Sequence, residues 1–518
     1  MFGHVTNVRA AHIQDKSALA AARLLASLRK VVLVTLLDRS IWLGKAFSAG
    51  WQETGGGQAP VIEPATGNEL ASVGIASPAD ISAATAAAGA AQPAWAALPY
   101  TQRAAILRKA GEIWLANAAE IEDWSVREGG KIPPAAQFET HVATEEIFEA
   151  ATLPSRPYGE LLPSEQPHLS FAERVPVGVV GVISPFNFPQ ILAIRSVAPA
   201  LALGNAVVLK PDPRTAVCGG VVLARVFEEA GLPEGLLHVL PGGPDVGEAL
   251  VTDPRIGVIS FTGSTAAGRR VGTLAGQHLK RVHLELGGNS ALIVLADADL
   301  DKAASAGAWG SFLHQGQICM TTGRHLVHES VYDDYVSRLA AKASHLPVGD
   351  PASGQVAVGP IIDERQRDKV HSLVTDSVQA GATLAAGGSY DGLFYQPTVL
   401  SDVAPAMPAY ANEVFGPVAP VIRFETADEV AKLAADSEYG LSLGILTRDV
   451  MRGLELARQI PTGIVHINDQ TVDDAPNTPF GGIRASGTGA RFGGTANLDA
   501  FTDTRWVTIR GDIAPYPF

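Results

Sequence analysis

Only two cysteines occur in the 518-residue chain, and one of them lies in a setting suited to chemistry. Cys319 sits among Gly, Gln and Thr in the stretch FLHQGQICMTTGR, outside any apolar run. A thiolate is the best side-chain nucleophile near neutral pH, so this thiol is a candidate for covalent catalysis. Cys218 lies in an apolar helical pattern and is expected to be a small buried hydrophobe.

Three further polar residues close predicted strands or the turns that follow them. Asn187 lies in the turn SPFNFP, Lys210 ends the strand AVVLK, and Glu285 precedes two glycines in LELGGN. Open α/β sheets bind ligands at the carboxyl ends of their strands, which favours a functional interpretation. Each residue also has a structural explanation. Asn187 suits a helix cap, Lys210 a solvated strand end and Glu285 a buried ion pair.

The stretch FTGSTAAGRR indicates a site for a phosphate group. Gly263 and Ser264 follow the strand GVIS, and a helix is expected to start near Thr265. Free amides at a helix N-terminus, together with the helix dipole, attract anions. The pattern is not the GxGxxG fingerprint, so an ordinary helix start explains it about equally well. In NEVFGPV, Glu413 and Phe415 form another candidate pair beside a glycine.

The elements that must position these residues form an alternating series. Apolar strands without polar alternation are predicted at VVGVIS, AVVLK, LLHVL and GVIS, and a helical pattern follows each of them. Such strands are typical of a parallel sheet buried on both faces, and the order indicates a doubly wound nucleotide-binding domain. A second α/β unit is expected to begin after Gly288 and to end near Gly489. Between them, residues 154–176 have the proline spacing of an exposed hairpin arm.

Composition excludes several classes of function. The net charge of −14 argues against a nucleic-acid partner, because such binding depends on a basic surface. The apolar run VVLVTLL is far shorter than the roughly 20 residues of a membrane span, so no membrane association is predicted. Two distant cysteines give no disulfide framework and favour a reducing compartment, the cytoplasm. No metal site is predicted, and residues 1–35 are expected to form a poorly ordered extension.

From about Leu36 to the C-terminus the chain resembles the aldehyde dehydrogenase superfamily. The resemblance rests on PFNFP, the pair Lys210–Pro211, FTGSTAAG, LELGGNS, GQICMTTGR, NEVFGPV and PFGGIRASGTG. LKPDPRTAVCGGVV and FLHQGQICMTTGRH are most similar to NAD-dependent benzaldehyde dehydrogenases and their vanillin-oxidising relatives. The resemblance implies an α/β fold of two doubly wound parallel-sheet domains with a β-hairpin oligomerisation arm. The implied parts are a dinucleotide-binding domain (36–153 and 177–286), a catalytic domain (287–499) and an arm with its tail (154–176 and 500–518).

The resemblance also implies a role for each candidate residue. Cys319 would be the nucleophile, Asn187 the oxyanion donor together with the Cys319 backbone N–H, and Glu285 the general base for hydrolysis. The implied cofactor-binding residues are Lys210, Gly263, Ser264, Glu413, Phe415, Ser184 and Phe186. The implied substrate pocket comprises Leu192, Arg195, Ile318, Asp469, Gln470 and Phe480, with Thr471 beside them.

The cofactor, the substrate, catalytic activity itself and the oligomeric state each have an alternative at this point. NAD is the expected cofactor, but Pro213 stands where many relatives carry the Glu that binds the adenosine ribose, which leaves NADP open. The expected substrate is an aromatic aldehyde. Arg195 could instead bind the carboxylate of a semialdehyde such as succinate semialdehyde, or it could belong to an ion pair. A non-catalytic protein is disfavoured by the intact set of Cys319, Glu285 and Asn187. The arm and tail predict a homodimer or homotetramer.

Overall fold

The computed structural model describes residues 35–518. The predicted extension of residues 1–35 therefore lies outside the described residues, apart from Thr35. Leu36 and Leu37, the end of the apolar run, are buried in the first core. Within the described range, no helix has both the length and the apolar character needed to cross a membrane.

The strands run from residue 46 to residue 509. In chain order they are β1 (Ala46–Ser48), β2 (Trp51–Gln52), β3 (Gln58–Ile62), β4 (Glu69–Gly74), β5 (Gly159–Leu161), β6 (Leu169–Pro176), β7 (Val179–Ile183), β8 (Ala206–Lys210), β9 (Leu237–Val239), β10 (Ile256–Thr262), β11 (Arg281–Glu285), β12 (Ser290–Val294), β13 (Thr322–His328), β14 (Thr383–Ala386), β15 (Tyr390–Asp391), β16 (Phe394–Tyr395), β17 (Thr398–Ser401), β18 (Val418–Phe424), β19 (Ser442–Leu446), β20 (Ile464–Ile467) and β21 (Thr502–Ile509).

The helices occupy most of the connections between these strands. The α-helices are Arg39–Trp42, Pro78–Ala96, Tyr100–Ala116, Ala118–Gly129, Pro133–Ala150, Pro189–Ala202, Val222–Ala230, Pro244–Thr252, Thr265–Gln277, Leu300–Phe312, Tyr332–His345, Glu364–Gln379, Pro408–Ala411, Ala427–Ala435, Val450–Ala457 and Ala496–Phe501. Short 3-10 turns lie at Leu153–Ser155, Pro213–Thr215, Leu313–Gly316, Glu329–Val331 and Arg484–Ser486, and a π-helical turn lies at Val217–Val221.

The first large sheet has the order β11-β10-β7-β8-β9-β1-β2. The five strands from β11 to β9 are parallel, and every residue of β7 and β8 is buried. This confirms the parallel sheet that the apolar strands predicted, because strands covered by helices on both faces need no polar alternation. The sequence pattern did not indicate the antiparallel edge formed by β1 and β2.

The second large sheet has the order β14-β17-β18-β13-β12-β19-β20, and only β14 at one edge is antiparallel. It begins four residues after the last strand of the first sheet, since β11 ends at Glu285 and β12 starts at Ser290. The predicted α/β fold with two doubly wound parallel sheets is therefore confirmed. Phe480, Phe492 and Phe501 return from the second sheet to pack in the core of the first.

A separate three-stranded antiparallel sheet joins the two segments predicted as arm and tail. β6 lies in the middle, with β21 pairing along its full length and the short β5 on the other side. Arg505 pairs with Glu173 across the first of these ladders, and the Trp506 indole donates to Ser170 Oγ at 2.9 Å. The predicted hairpin arm is present as β5 and β6, and the tail pairs with it through β21.

The helical segment predicted after the strand AVVLK is split. A π-helical turn, Val217–Val221, precedes the α-helix Val222–Ala230. The Glu128 carboxylate accepts hydrogen bonds from the backbone N–H groups of Val217 and Cys218, at 2.8 and 2.7 Å. These bonds satisfy amides at the start of the helical segment. Cys218 itself is fully buried, as its apolar surroundings predicted.

Candidate active site

A cavity of about 740 Å³ opens beyond the carboxyl ends of β7, β8 and β10. This is the edge at which a doubly wound sheet binds ligands. The cavity reaches from the strand ends of the first sheet to the turns of the second. Its wall includes many of the predicted residues: Ser184, Phe186, Asn187, Leu192, Lys210, Gly263, Ser264, Cys319, Glu413 and Phe415.

Cys319 lies in the turn that follows the helix Leu300–Phe312. The chain reverses through three successive left-handed residues, His314, Gln315 and Gly316, with φ of 47°, 56° and 64°. Left-handed conformations cost non-glycine residues about 1–2 kcal/mol each, so the surrounding packing must hold this turn. Burial, together with the nearby charges of Glu413 and Glu285, raises the pKa of the Cys319 thiol to about 12. The thiol is therefore protonated at neutral pH in this arrangement.

Asn187 holds the cysteine turn from the opposite side. Its side-chain Nδ2 donates a hydrogen bond to the backbone carbonyl of Gln317 at 2.9 Å. The N-cap of the helix Pro189–Ala202 is Phe188, and no side-chain cap bond is present, so Asn187 does not act as the cap of that helix. An amide nitrogen carries two hydrogens, and one of them remains for a ligand.

Glu285 ends β11 beside the cysteine turn but outside the cavity wall. The side chain is 3% exposed, and neither carboxylate oxygen has a hydrogen-bond partner among residues 35–518. Burial raises the pKa of Glu285 well above 4.5, while the charges of Arg195 and Arg491 and the nearby backbone N–H of Gly482 oppose that shift. A buried carboxyl with no partner is costly to keep in a fold, and such groups occur preferentially at functional sites.

Two glycines after Glu285 allow the chain to pass close to both acidic residues and the thiol. A Cβ on Gly288 would clash with the carbonyl oxygen of Cys319, and a Cβ on Gly287 would clash with the Glu413 carboxylate. The Gly288 N–H donates to Glu413 Oε1 at 2.9 Å. Burial raises the pKa of Glu413 to about 7. The LELGGN motif thus connects Glu285, Cys319 and Glu413 through backbone contacts that only glycine permits.

Phe186 and Phe415 meet edge to face over the cavity, with ring centroids 6.0 Å apart. Phe415 has a left-handed backbone, with φ of 56°. Gln366 holds that conformation by donating from Nε2 to the Phe415 carbonyl at 2.8 Å. The two rings come from turns beside opposite sheets, so they form an apolar contact where the two halves meet.

The phosphate-site prediction coincides with a helix start. Ser264 is the N-cap of the helix Thr265–Gln277, and its Oγ accepts from the Ala267 N–H at 3.4 Å. Both Gly263 and Ser264 line the cavity together with Lys210, whose pKa is lowered by burial. A helix N-terminus beside a lysine suits a diphosphate and the ribose next to it. These residues fit an adenine dinucleotide, while no cluster of side chains within residues 35–518 fits a metal ion.

Several charged residues of the cavity wall were not predicted from the sequence. Arg214 lies over the Phe186 ring, 4.2 Å from its centre, and pairs with Asp212 at 2.8 Å and Asp363 at 2.7 Å. Lys369 also lines the cavity, and its charge counters the raised pKa of Glu413. Asp363 and Lys369 belong to a distant helical segment without a glycine or strand-end signal, so only Arg214, next to Pro213, could have been noticed.

Of the predicted substrate-pocket residues, three are apolar and buried, and Arg195 belongs to a buried cluster of charged residues. Leu192, Ile318 and Phe480 are all buried. Arg195 is buried as well, and it pairs with Glu146 and Asp474. Of the two explanations offered for Arg195, the structure contains the ion pair.

Asp469, Gln470 and Thr471, which were also predicted around the substrate pocket, lie outside the wall of this cavity. Thr471 is fully buried and donates to the Met320 carbonyl at 2.7 Å, so it supports the cysteine turn from inside. Gln470 is buried and bonds to the backbone of Val472, and only Asp469 is exposed. None of the three is part of the cavity wall.

The fold has two doubly wound sheets, and a thiol lies in the wall of the cavity between them. This combination is typical of enzymes that bind a nucleotide cofactor and form a covalent intermediate. The model of the aldehyde dehydrogenase family matches residues 51–507. The chain belongs to this family.

Its relatives are similar over nearly their whole length. A vanillin dehydrogenase from an Amycolatopsis species is 68% identical over 486 residues, which cover 94% of this chain and 100% of that protein. A benzaldehyde dehydrogenase (NAD(+)) from Pseudomonas putida is 52% identical over 482 residues, covering 93% of this chain and 99% of that protein. Among solved structures, a salicylaldehyde dehydrogenase from Pseudomonas putida G7, complexed with salicylaldehyde, has a TM-score of 0.89 and 35% identity. The structural match covers 92% of this chain and 99% of the salicylaldehyde dehydrogenase chain.

Proposed function

We propose that the protein oxidises an aromatic aldehyde of the benzaldehyde class to the carboxylic acid, with NAD as the hydride acceptor. The observation that carries the proposal is the convergence of Cys319 and Asn187 at one end of a cavity whose other wall holds Lys210 and Ser264. The names of the vanillin, benzaldehyde and salicylaldehyde dehydrogenases support the choice of an aromatic substrate.

The first step begins when the Cys319 thiol gives its proton to solvent through the cavity that it lines. The thiolate sulfur then attacks the aldehyde carbon. The new C–S bond converts the carbonyl oxygen to an oxyanion. The free N–H of Asn187 Nδ2 and the backbone N–H of Cys319 donate to it. The bond to Gln317 fixes the Asn187 amide in advance, so little reorganisation is needed. One such donor is worth about 3 kcal/mol of transition-state stabilisation.

When bound, NAD would supply the hydride acceptor, and residues of the cavity wall would hold it. Ser264, Gly263 and Lys210 would bind the pyrophosphate and the adenosine ribose, Ser184 lines the same strand edge, and Glu413 would bind the nicotinamide ribose. Phe186 and Phe415, which meet edge to face in the cavity wall, would pack against the nicotinamide end. Pro213 offers no carboxylate to repel a 2′-phosphate, but the NAD(+) in the name of the Pseudomonas putida relative supports NAD.

Glu285 acts in the second step, the hydrolysis of the thioester on Cys319. Its carboxylate takes a proton from water, whose oxygen then attacks the acyl carbon and releases the thiolate. The absence of a protein partner for either oxygen within residues 35–518 leaves both free to bind water. The raised pKa makes Glu285 a stronger base than an exposed glutamate.

The side chains around the thiol favour an uncharged ring as substrate. Leu192 and Phe186 line the cavity next to Cys319, and Ile318 and Phe480 are buried nearby. The competing substrate class, a carboxylated semialdehyde, requires an unpaired cation. Arg195 is the candidate, and two acidic side chains already bind it. This pairing favours the aromatic aldehyde over succinate semialdehyde.

The arm supports assembly into a homodimer or homotetramer. Its sheet leaves large apolar side chains in solvent, with Leu161 77% and Trp506 68% exposed. Exposed patches of this kind usually mark interaction sites, and β5 and β21 are both edge strands. The two cysteines are unpaired, which supports a cytoplasmic location.

The near-ultraviolet absorbance of NADH tests the proposed reaction directly. Mixing the protein with NAD and benzaldehyde should produce NADH in proportion to the acid formed. A panel of aldehydes with NAD and with NADP in parallel then ranks the substrates and the cofactors. No NADH from any aromatic aldehyde, with turnover of other aldehydes intact, would contradict the proposal.

A further inference from the structure

A buried cluster of charge surrounds Arg195 next to the catalytic turn. The guanidinium lies over the ring of Phe480, 4.4 Å from its centre, and the side chain is 2% exposed. Its Nη2 donates to Glu146 at 3.4 Å and to Asp474. The three charged residues come from distant parts of the chain: the helix Pro189–Ala202, the helix Pro133–Ala150 and the loop after β20.

Arg195 lies behind the wall of the cavity and is not itself part of that wall. It lies one turn after Leu192 on the same helix, so the two side chains share a face, and Leu192 lines the cavity beside Cys319. The charge of Arg195 lowers the pKa of both Cys319 and Glu285, which indicates that the guanidinium is near the reacting atoms. Without its acidic partners, a cation at this position would attract an anionic aldehyde bound in the cavity.

The hydrogen-bonding groups of this cluster are not all paired. Both contacts of the guanidinium use Nη2, while Nη1 and Nε are buried without a partner among residues 35–518. Oδ1 of Asp474 is likewise buried and without a described partner. Donors remain on Arg195, so its hydrogen-bonding capacity does not prevent a substrate carboxylate from binding. What opposes such binding is the negative charge already present.

The two acidic partners are not equivalent. Burial raises the pKa of Glu146 to about 8, so this residue is mostly protonated near neutral pH. Asp474 is then the counter-charge that neutralises Arg195, and its side chain is 9% exposed. A second carboxylate brought by a substrate would face Asp474 at close range in a water-poor site, where repulsion between like charges is strong.

We propose that Asp474 is a specificity-determining residue, which acts by positioning and neutralising Arg195 and thereby excludes anionic aldehydes. The inference rests on the proposed aldehyde oxidation and adds to it the residue that selects for uncharged substrates. Asp474 acts through Arg195, so it needs no contact with the substrate. Its removal should create an activity, which the loss of a merely structural residue would not do.

The test compares benzaldehyde with succinate semialdehyde in wild-type protein and in Asp474→Asn. The ratio of kcat/KM for succinate semialdehyde to that for benzaldehyde should rise at least tenfold in the variant, mainly through a lower KM for the anionic aldehyde. Asp473→Asn is the matched control, because it removes the same charge from an exposed neighbour and should leave the ratio unchanged. The double variant Asp474→Asn/Arg195→Met should lose the gain, since the cation is then absent.

The outcomes distinguish the role of Asp474 from the proposed substrate class. Equal losses for both substrates, or an unchanged ratio in a folded Asp474→Asn protein, would overturn the role of Asp474. A rise in the kcat/KM ratio that persists in the double variant with Arg195→Met would also overturn the role of Asp474. Thermal unfolding monitored by circular dichroism establishes folding, and Asp474→Ser provides the same charge removal if the Asn variant does not fold. A wild-type preference for succinate semialdehyde would instead overturn the proposed substrate.

Discussion

The side-chain amide of Asn187 donates to the backbone carbonyl of Gln317 at 2.9 Å, across 130 positions of sequence. This bond joins the turn after β7 in the first sheet to the turn that carries Cys319. It also fixes the direction of the remaining amide N–H before any substrate arrives. The position of the proposed oxyanion donor relative to the proposed nucleophile is thus fixed by a contact between the two halves of the molecule.

Replacing Asn187 with Ala removes this donor. We expect kcat/KM for benzaldehyde to fall about 10²–10³-fold, which corresponds to a loss of about 3–4 kcal/mol in transition-state stabilisation. Cofactor affinity, measured by fluorescence titration with NADH, should change little. Activity within threefold of wild type would show that Asn187 only holds the turn in place.

The two cysteines should differ sharply in reactivity. Cys319 is partly exposed and Cys218 is fully buried, so iodoacetamide should label one thiol in the folded protein. Only the thiolate reacts, and the Cys319 pKa is raised to about 12, so the labelling rate should rise about tenfold per pH unit from pH 7 to 10. Mass spectrometry after timed quenching measures the rate.

The matched pair Cys319→Ala and Cys218→Ala assigns the label and the activity. Cys319→Ala should lose both turnover and labelling while still binding NAD, whereas Cys218→Ala should keep both. Steady turnover in the Cys319 variant would refute covalent catalysis at this residue.

Local patterns were sufficient to predict the parallel sheets and the strand-end position of Glu285. Each of those inferences depends on residues adjacent in sequence, such as the unbroken apolar run of β7 or the Ser264 helix start. The surroundings of Arg195 depend on Asp474, 279 positions away in an irregular loop, and no local pattern reports that contact. The antiparallel β1 and β2 and the Glu128-stabilised π-turn were missed for the same reason.

The raised pKa of Glu285 gives the hydrolytic step a defined pH dependence. Burial disfavours the charged form, so the carboxylate that acts as base becomes populated only as pH rises past a midpoint well above 4.5. We expect steady-state kcat to increase with pH through that midpoint. In Glu285→Gln, a burst of NADH equal to the enzyme concentration should appear without steady turnover, as stopped-flow absorbance can show.

A wild-type kcat that falls as pH rises through the neutral range would contradict Glu285 as the base. Full steady turnover in Glu285→Gln would contradict it independently of pH.

The exposed apolar side chains of the arm should be covered in solution by another copy of the chain. Light scattering should give a mass of two or four times 54.0 kDa. Trp506→Glu should shift the protein toward smaller species, because it places a charge in an apolar contact. Trp309→Glu changes another exposed tryptophan, outside the arm, and serves as the control. A wild-type mass equal to one chain would refute assembly through this surface.

The substrate preference follows from the charge around Arg195 and the apolar side chains beside Cys319. Benzaldehyde brings only apolar surface to Leu192, Ile318 and Phe480, whereas succinate semialdehyde must bring its carboxylate near Asp474. We therefore expect kcat/KM for benzaldehyde to exceed that for succinate semialdehyde by more than about tenfold, a difference of about 1.4 kcal/mol. Parallel assays with both aldehydes, at saturating NAD and one pH, measure this ratio. The opposite ranking would overturn the aromatic assignment, while the roles of Cys319 and Glu285 would still stand on the alkylation and burst experiments.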